Sequence, residues 1–145
     1  MKKTKSAEFR VMEAVPSYGS ETAILEFLDK NDKEINWDYI NAIRKATGYS
    51  DEAISRWLNI SVRTLHTYRR PTKSFKENTK EQLVLLLGLF KHGISVFGSA
   101  MEFDKWLDNK NFFFDYKAPV SFLNTVTGIS FVNDRLTAME YGDNV

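Results

Sequence analysis

Cysteine is missing from all 145 residues, which excludes disulfides and thiolate metal sites, and with only His66 and His92 a histidine cluster is excluded too. No apolar run approaches the roughly 20 residues of a membrane span. The opening MKKTKSAEFR also lacks the apolar block of a signal peptide. A soluble, cytoplasmic protein with no membrane partner is therefore expected. There is no internal repeat and no convincing alternation of apolar and polar residues, so the expected fold class is all-α. Nor do the Asp and Glu spacings or the two isolated histidines supply a nucleophile, a base or a metal cluster. The expectation is that the protein is not an enzyme and has no cofactor. Excess charge is lacking as well: the formal net charge is +1, low for a protein that coats nucleic acid.

What is present is a hydrophobic share of 43% and an aromatic share of 14%, enough for one core or two small ones. Positive charge is local. Residues 61–76 hold Arg63, Arg69, Arg70, Lys73 and Lys76 and no acid.

That stretch ends the segment around which the chain is organised, SDEAISRWLNISVRTLHTYRR at residues 50–70. Two short helical patterns there are separated by too few residues for anything but a tight corner, with Ile54, Leu58, Ile60, Leu65 and Tyr68 inward. Ser50 is the expected cap of the first helix, with Asp51 and Glu52 in its first turn. Ser55 is small where two backbones approach, and Asn59 suits a left-handed turn residue. Ser61 caps the second helix, on which Arg63, His66, Thr67 and Arg70 share one face by their i, i+3, i+4, i+7 spacing. That face is the candidate reader of DNA base edges, with Ser61, Arg69, Lys73 and Lys76 toward phosphates. Its bland alternative is the solvated side of a helical hairpin. One such helix covers only a half-site, so a homodimer or a bridged assembly on double-stranded operator DNA is expected.

Residues 1–19 have only a weak apolar pattern around Phe9, Val11, Met12 and Val15 and read as a partly ordered arm. Ser20 opens a short helix with Ile24, Phe27 and Leu28 inward. Asn36 caps another with Trp37, Ile40 and Ile43 inward, for which Gly48 is the expected stop. Residues 20–75 thus form one expected module, and Pro71 with its polar neighbours marks a connection to a second at residues 76–145. There Leu83, Leu86, Leu87, Phe90, Ile94 and Phe97 predict a long helix with a broad apolar face, ended or bent by Gly98. Ser99 and Glu102 form a capping box before Phe103, Trp106 and Leu107. An irregular loop, NKNFFFDYKAP, precedes Pro119, Phe122 and Leu123, and a last helix carries Ile129, Val132, Leu136 and Met139 inward until Gly142. The aromatics Phe103, Trp106, Phe112, Phe113, Phe114 and Phe122 read as core more readily than as a ligand box, with some exposed at an interface.

Val96-Phe97-Gly98, Trp106-Leu107 followed by Asn111, then Pro119, Leu123, Thr125, Gly128 and Glu140-Tyr141-Gly142 resemble the C-terminal domain of Xre/MbcA/ParS-type antitoxins over residues 92–142. The preceding corner is similar to the Xre-like helix-turn-helix of the same family. The resemblance implies an Xre-like module followed by a small helical toxin-binding module. It further implies a RES-domain, NAD-consuming toxin as partner, and repression of the chain's own operon. On the resemblance alone, Asn133, Asp134, Arg135, Glu140, Tyr141 and Gly142 become candidates for toxin contact, with Asp134, Glu140 or the terminal carboxylate entering a cationic NAD pocket. Where the family usually has Leu-Gly-Gly shortly before the proline, this chain has Phe114-Asp115-Tyr116, a change expected to alter the loop's course or its contact with a partner. The alternative reading is a free-standing transcription regulator with a dimerising or ligand-sensing C-terminal domain.

Overall fold

The long apolar run LVLLLGLF becomes the axis of the molecule. In the computed structural model, which describes residues 5–142, it lies within a helix spanning Glu77–Phe97 whose side chains from Gln82 to Phe90 are all buried. A helix that is apolar all round must be enclosed rather than laid on a surface. Among the described residues there are eight α-helices and no strand, so the fold is all-α. They are α1 (Ala7–Ala14), α2 (Glu21–Asn31), α3 (Trp37–Ala46), α4 (Asp51–Trp57), α5 (Val62–Thr67), α6 (Glu77–Phe97), α7 (Ala100–Asp108) and α8 (Val126–Glu140). Helices α2, α3, α7 and α8 all pack on α6. One continuous apolar cluster therefore runs from Val11 to Leu136.

The expected caps are present. Ser20, Ser50, Ser61 and Ser99 each accept a hydrogen bond from the backbone N–H three residues on. Asn36 accepts one from the Asp38 N–H. At the end of α6, Gly98 takes φ +87° and the chain turns by 105° into α7. The two helices meet so closely that a Cβ on Gly93 would lie 2.3 Å from the Phe103 ring; only glycine fits there.

Three expectations need correction. Residues 7–14 form a helix rather than an arm: Ser6 caps it, and Val11 and Val15 are buried as it packs on α3. The stop of α3 does not come from a left-handed Gly48. Thr47 leaves the helix in extended conformation, its hydroxyl accepts from the Tyr49 N–H at 3.1 Å, and the Gly48 N–H donates to Asp104 at 2.8 Å. Finally, the broad apolar face expected of α6 widens, between Gln82 and Phe90, to burial of every residue. No single helix among the described residues is long and apolar enough to cross a membrane.

Candidate functional site

Two surfaces carry the chemistry, and one seam joins them. The first is the corner of α4 and α5. Helix α4 ends in a Schellman turn: the Ile60 N–H donates to Ser55 O at 3.0 Å and the Asn59 N–H to Arg56 O at 3.2 Å, with Asn59 at φ +58°. Asparagine pays less than most residues for that conformation. Its side chain also has a second task, donating to the Asn124 carbonyl at 2.8 Å. Leu65 and Tyr68 hold α5 on the core.

On the outer face Arg63, Arg69, Arg70, Lys73 and Lys76 are all exposed. Arg63 and Arg70 lie on the expected reading face. His66 and Thr67, the other two members of that face, are already engaged. The His66 ring sits 2.8 Å from Asp51, and the Thr67 hydroxyl donates to Thr64 O at 2.6 Å. Asp51 also takes two hydrogen bonds from Arg44. The Arg44 guanidinium holds its carboxyl down at about 2; burial opposes this and His66 assists it. Asp51 is thus balanced by Arg44 and does not cancel the basic surface. Arg69 and Arg44 both lie over the Trp37 ring, at 5.2 and 5.1 Å, and Lys73 lies 5.0 Å over Tyr68. Ser61 is occupied as the cap, and Lys76 is the residue at which α6 begins.

The second surface is the outer side of α8 with the loop before it. Asp134 and Glu140 are exposed there, and Tyr141 is 83% exposed. Gly142 takes φ +91°; the terminal carboxylate lies outside the described residues. Asn133 is not on this surface. It is buried, its amide donating to Tyr18 O at 3.0 Å and accepting from His92 Nδ1 at 2.7 Å. That pairing puts the His92 proton on Nδ1 and aims Nε2 at Glu140, 3.4 Å away. Arg135 is half-buried, its guanidinium 3.5 Å from the centroid of the Phe113 ring.

The loop divides its aromatics. Phe103, Trp106 and Phe114 are buried as expected, Phe122 is half-buried, and Phe112, Phe113 and Tyr116 are exposed, as is Phe131 of α8, which packs on Phe114 and Phe122. A short 3-10 turn explains the split, since three residues per turn let only one of three consecutive phenylalanines point inward. Where a glycine pair was noted as lost, Asp115 and Tyr116 both adopt left-handed backbone, at φ +56° and +61°. The left-handed turn is made without glycine.

Between the two surfaces the seam is polar and specific. Besides the bonds from Asn59 and Gly48, the Tyr49 hydroxyl donates to Asp108 at 2.6 Å and Gln82 donates to Trp57 O at 3.3 Å. Burial raises the Asp104 carboxyl above its ordinary range, against the hydrogen bond from Gly48. Beneath the seam the rings of Trp57, Phe90, Phe103, Trp106, Phe114 and Phe131 follow one another at centroid spacings of 5.1 to 6.0 Å.

Residues 92–142 match the family model described as the antitoxin Xre/MbcA/ParS C-terminal toxin-binding domain. That segment is an antitoxin toxin-binding domain of the Xre/MbcA/ParS type. Comparison with curated proteins finds no match. A toxin-binding domain implies a toxin partner, and the matched segment holds the second surface whole: His92, the aromatic loop, α8 and the two residues after it. Sequence reasoning passed over Phe131 and the His92–Asn133 pair. For Asn133 the signal was there, since it stands four residues after Ile129 and three before Leu136, within the inward stripe.

Proposed function

We propose that this antitoxin neutralises a RES-domain, NAD-consuming toxin by covering its active site with the end of α8, and that it represses its own operon in the cytoplasm through the α4–α5 corner. Blocking is steric and needs no catalysis. The observation that carries the reading is the pairing, within one apolar core, of a matched toxin-binding segment with a capped helix-turn-helix corner whose outer surface is basic and free of acids between residues 61 and 76.

On the toxin side Asp134, Arg135, Glu140, Tyr141 and Gly142 remain the candidate contacts. Asn133 acts beneath them by fixing α8, through its hydrogen bonds with Tyr18 O and His92. On the DNA side Arg63 and Arg70 read base edges in the major groove, His66 and Thr67 brace the helix that carries them, and Arg69, Lys73 and Lys76 face phosphates. Division of labour near Phe75, rather than a gap in the core, separates the two modules. A homodimer, or two chains bridged by toxin, matches a palindromic operator.

The test is a truncation that spares the core. Ending the chain at Gly128 would remove Ile129, Val132 and Leu136, all fully buried, so the informative variant ends at Glu140. Co-expressed with the RES-domain toxin, it should stay folded, fail to protect cell growth and let cellular NAD fall, while operator binding persists. Full protection by this variant would exclude the end of the chain as the blocking element. A chain that captures no toxin but still binds operator would mark a free-standing regulator.

A further inference from the structure

The loop between α7 and α8 is built as a rigid display. The Asn111 N–H donates to Lys117 O at 3.1 Å and closes it, while the N–H groups of Phe114 and Tyr116 both return to Asn111 O at 3.0 Å. Asp115 N–H donates to Phe112 O, Lys117 N–H to Phe114 O, and Phe113 N–H to the Asn111 side chain. The loop is pinned from below by Phe114, which is 1% exposed and packs edge-on against Trp106 and Phe131. Its ordering cost is met within the free protein.

What this scaffold holds outward is apolar. Phe112, Phe113, Tyr116 and Phe131 are 67, 40, 65 and 45% exposed. Phe112 meets both Phe113 and Tyr116 edge to face, at 5.5 and 5.7 Å. Two consecutive non-glycine residues in left-handed backbone keep Tyr116 in place, a strain that folding alone gives no reason to retain. Rigid exposed aromatics with their ordering cost already met are the usual energetic anchors of protein interfaces.

We infer that this aromatic knuckle is the anchor by which the toxin is gripped, seating in an apolar depression of the toxin while the end of α8 reaches the active site. The inference rests on the toxin-binding reading. Its occupant is chosen by position: the knuckle lies wholly inside the matched toxin-binding segment and borders the outer α8 face, where Arg135 covers Phe113. The other large apolar side chains exposed in that segment, Met101, Val126 and Tyr141, have no ring contact with it among the described residues. Affinity and blocking are thus separate properties of neighbouring elements: the knuckle sets how long the complex lasts, and the end of α8 sets whether the toxin is inactive within it.

Binding of the full-length chain to the purified RES-domain toxin tests this. Phe112→Ala and Tyr116→Ala should each weaken the complex by on the order of 30-fold, mainly through faster dissociation, and Met101→Ala should leave it unchanged. Two glycine variants separate recognition from folding. Tyr116→Gly removes the ring and relieves the left-handed backbone, so its melting temperature should hold or rise while toxin affinity falls; Asp115→Gly relieves the same strain, keeps every ring and should keep the affinity. Affinity within about threefold of the parent for both alanine variants, on the usual interface scale, overturns the inference and leaves the toxin-binding reading standing. Loss of a homodimer with toxin affinity intact overturns it in favour of a second copy as the occupant. If the parent chain itself does not bind the toxin, the reading beneath the inference fails and takes the inference with it.

Discussion

The corner and the knuckle are both short elements set on the same core, yet they are stabilised in opposite ways. In the corner every local choice agrees with the backbone: serine caps, a Schellman turn with asparagine at its left-handed position, and an acid held between Arg44 and His66. Its outward groups are long, charged and adaptable. In the knuckle Tyr116 sits in backbone that its side chain disfavours, and the outward groups are rigid rings. A surface that meets a uniform polyanion needs placed charge, whereas one that meets a single protein needs preorganised apolar shape. The contrast also predicts which positions tolerate conservative change: Lys–Arg exchange at the phosphate-facing Lys73 and Lys76 of the corner, glycine at Asp115 in the loop.

The largest expected effect removes the ground the two surfaces share. Trp106 lies in contact with Phe97, Phe103 and Phe114, midway along the line of rings from corner to knuckle. Trp106→Ala should cost about 3–5 kcal/mol, the usual figure for emptying an aromatic core site. Thermal unfolding followed separately at the corner and at the C-terminal half should show both melting together, because one core serves both. Two separated transitions would mean that the halves fold as independent units.

Next in size is the effect confined to the corner. Arg63→Ala and Arg70→Ala should each weaken operator binding by about 1–3 kcal/mol if they make bidentate base contacts, with toxin affinity unaltered. Lys73→Ala should instead weaken binding evenly across sequences and reduce the salt dependence by about one counterion. Equal losses on operator and random DNA for Arg63→Ala would make it a phosphate contact.

The corner could be read from the chain because caps and turns are local: Ser50, Asn59 and Ser61 announce it within twelve positions of one another. The apolar stripes of α7 and α8 could be read for a similar reason, since spacing decides them. What escaped depends on partners distant in sequence. Helix α1 buries Val11 only because α3 lies beneath it, and Asn133 is polar within a buried stripe because Tyr18 and His92 arrive to satisfy its amide. At the second surface the sequence yields a run of aromatics but not which of them face out; that is settled by the 3-10 turn and by left-handed backbone at Asp115 and, against its residue type, at Tyr116. His66 and Thr67 share a face with Arg63 and Arg70 as the spacing requires. The engagement of His66 with Asp51 follows from the packing of α4 on α5, whereas Thr67 bonds back to Thr64 within α5.

A smaller effect tests the seam. Asn59→Ala leaves the left-handed turn to a residue that tolerates it less and deletes the hydrogen bond to Asn124 O, for an expected loss of about 1–2 kcal/mol. Asn59→Gly keeps the turn and loses only the hydrogen bond, so it should fall between parent and alanine variant. If the glycine variant matches the parent in stability, the bond across the seam contributes nothing and the turn conformation alone accounts for Asn59.

The smallest effect depends on pH and belongs to the corner alone. Asp51 is held below its ordinary value of 3.8, down to about 2, chiefly by the Arg44 guanidinium. A carboxyl whose folded value is depressed binds its proton more readily in the unfolded chain, so the stability it contributes is complete above the unfolded value and is lost as pH falls through 3.8 toward 2. Asp51→Asn removes that contribution at neutral pH, frees His66 from its partner and leaves Arg44 without its carboxylate. The melting temperature of the variant should lie below that of the parent at neutral pH, and the gap should close as the solution is acidified through this window. Operator affinity should fall only slightly, since Arg63 and Arg70 keep their positions on α5. A gap that stays constant across the window would show that Asp51 supports the corner through its packing at the start of α4 and not through its charge.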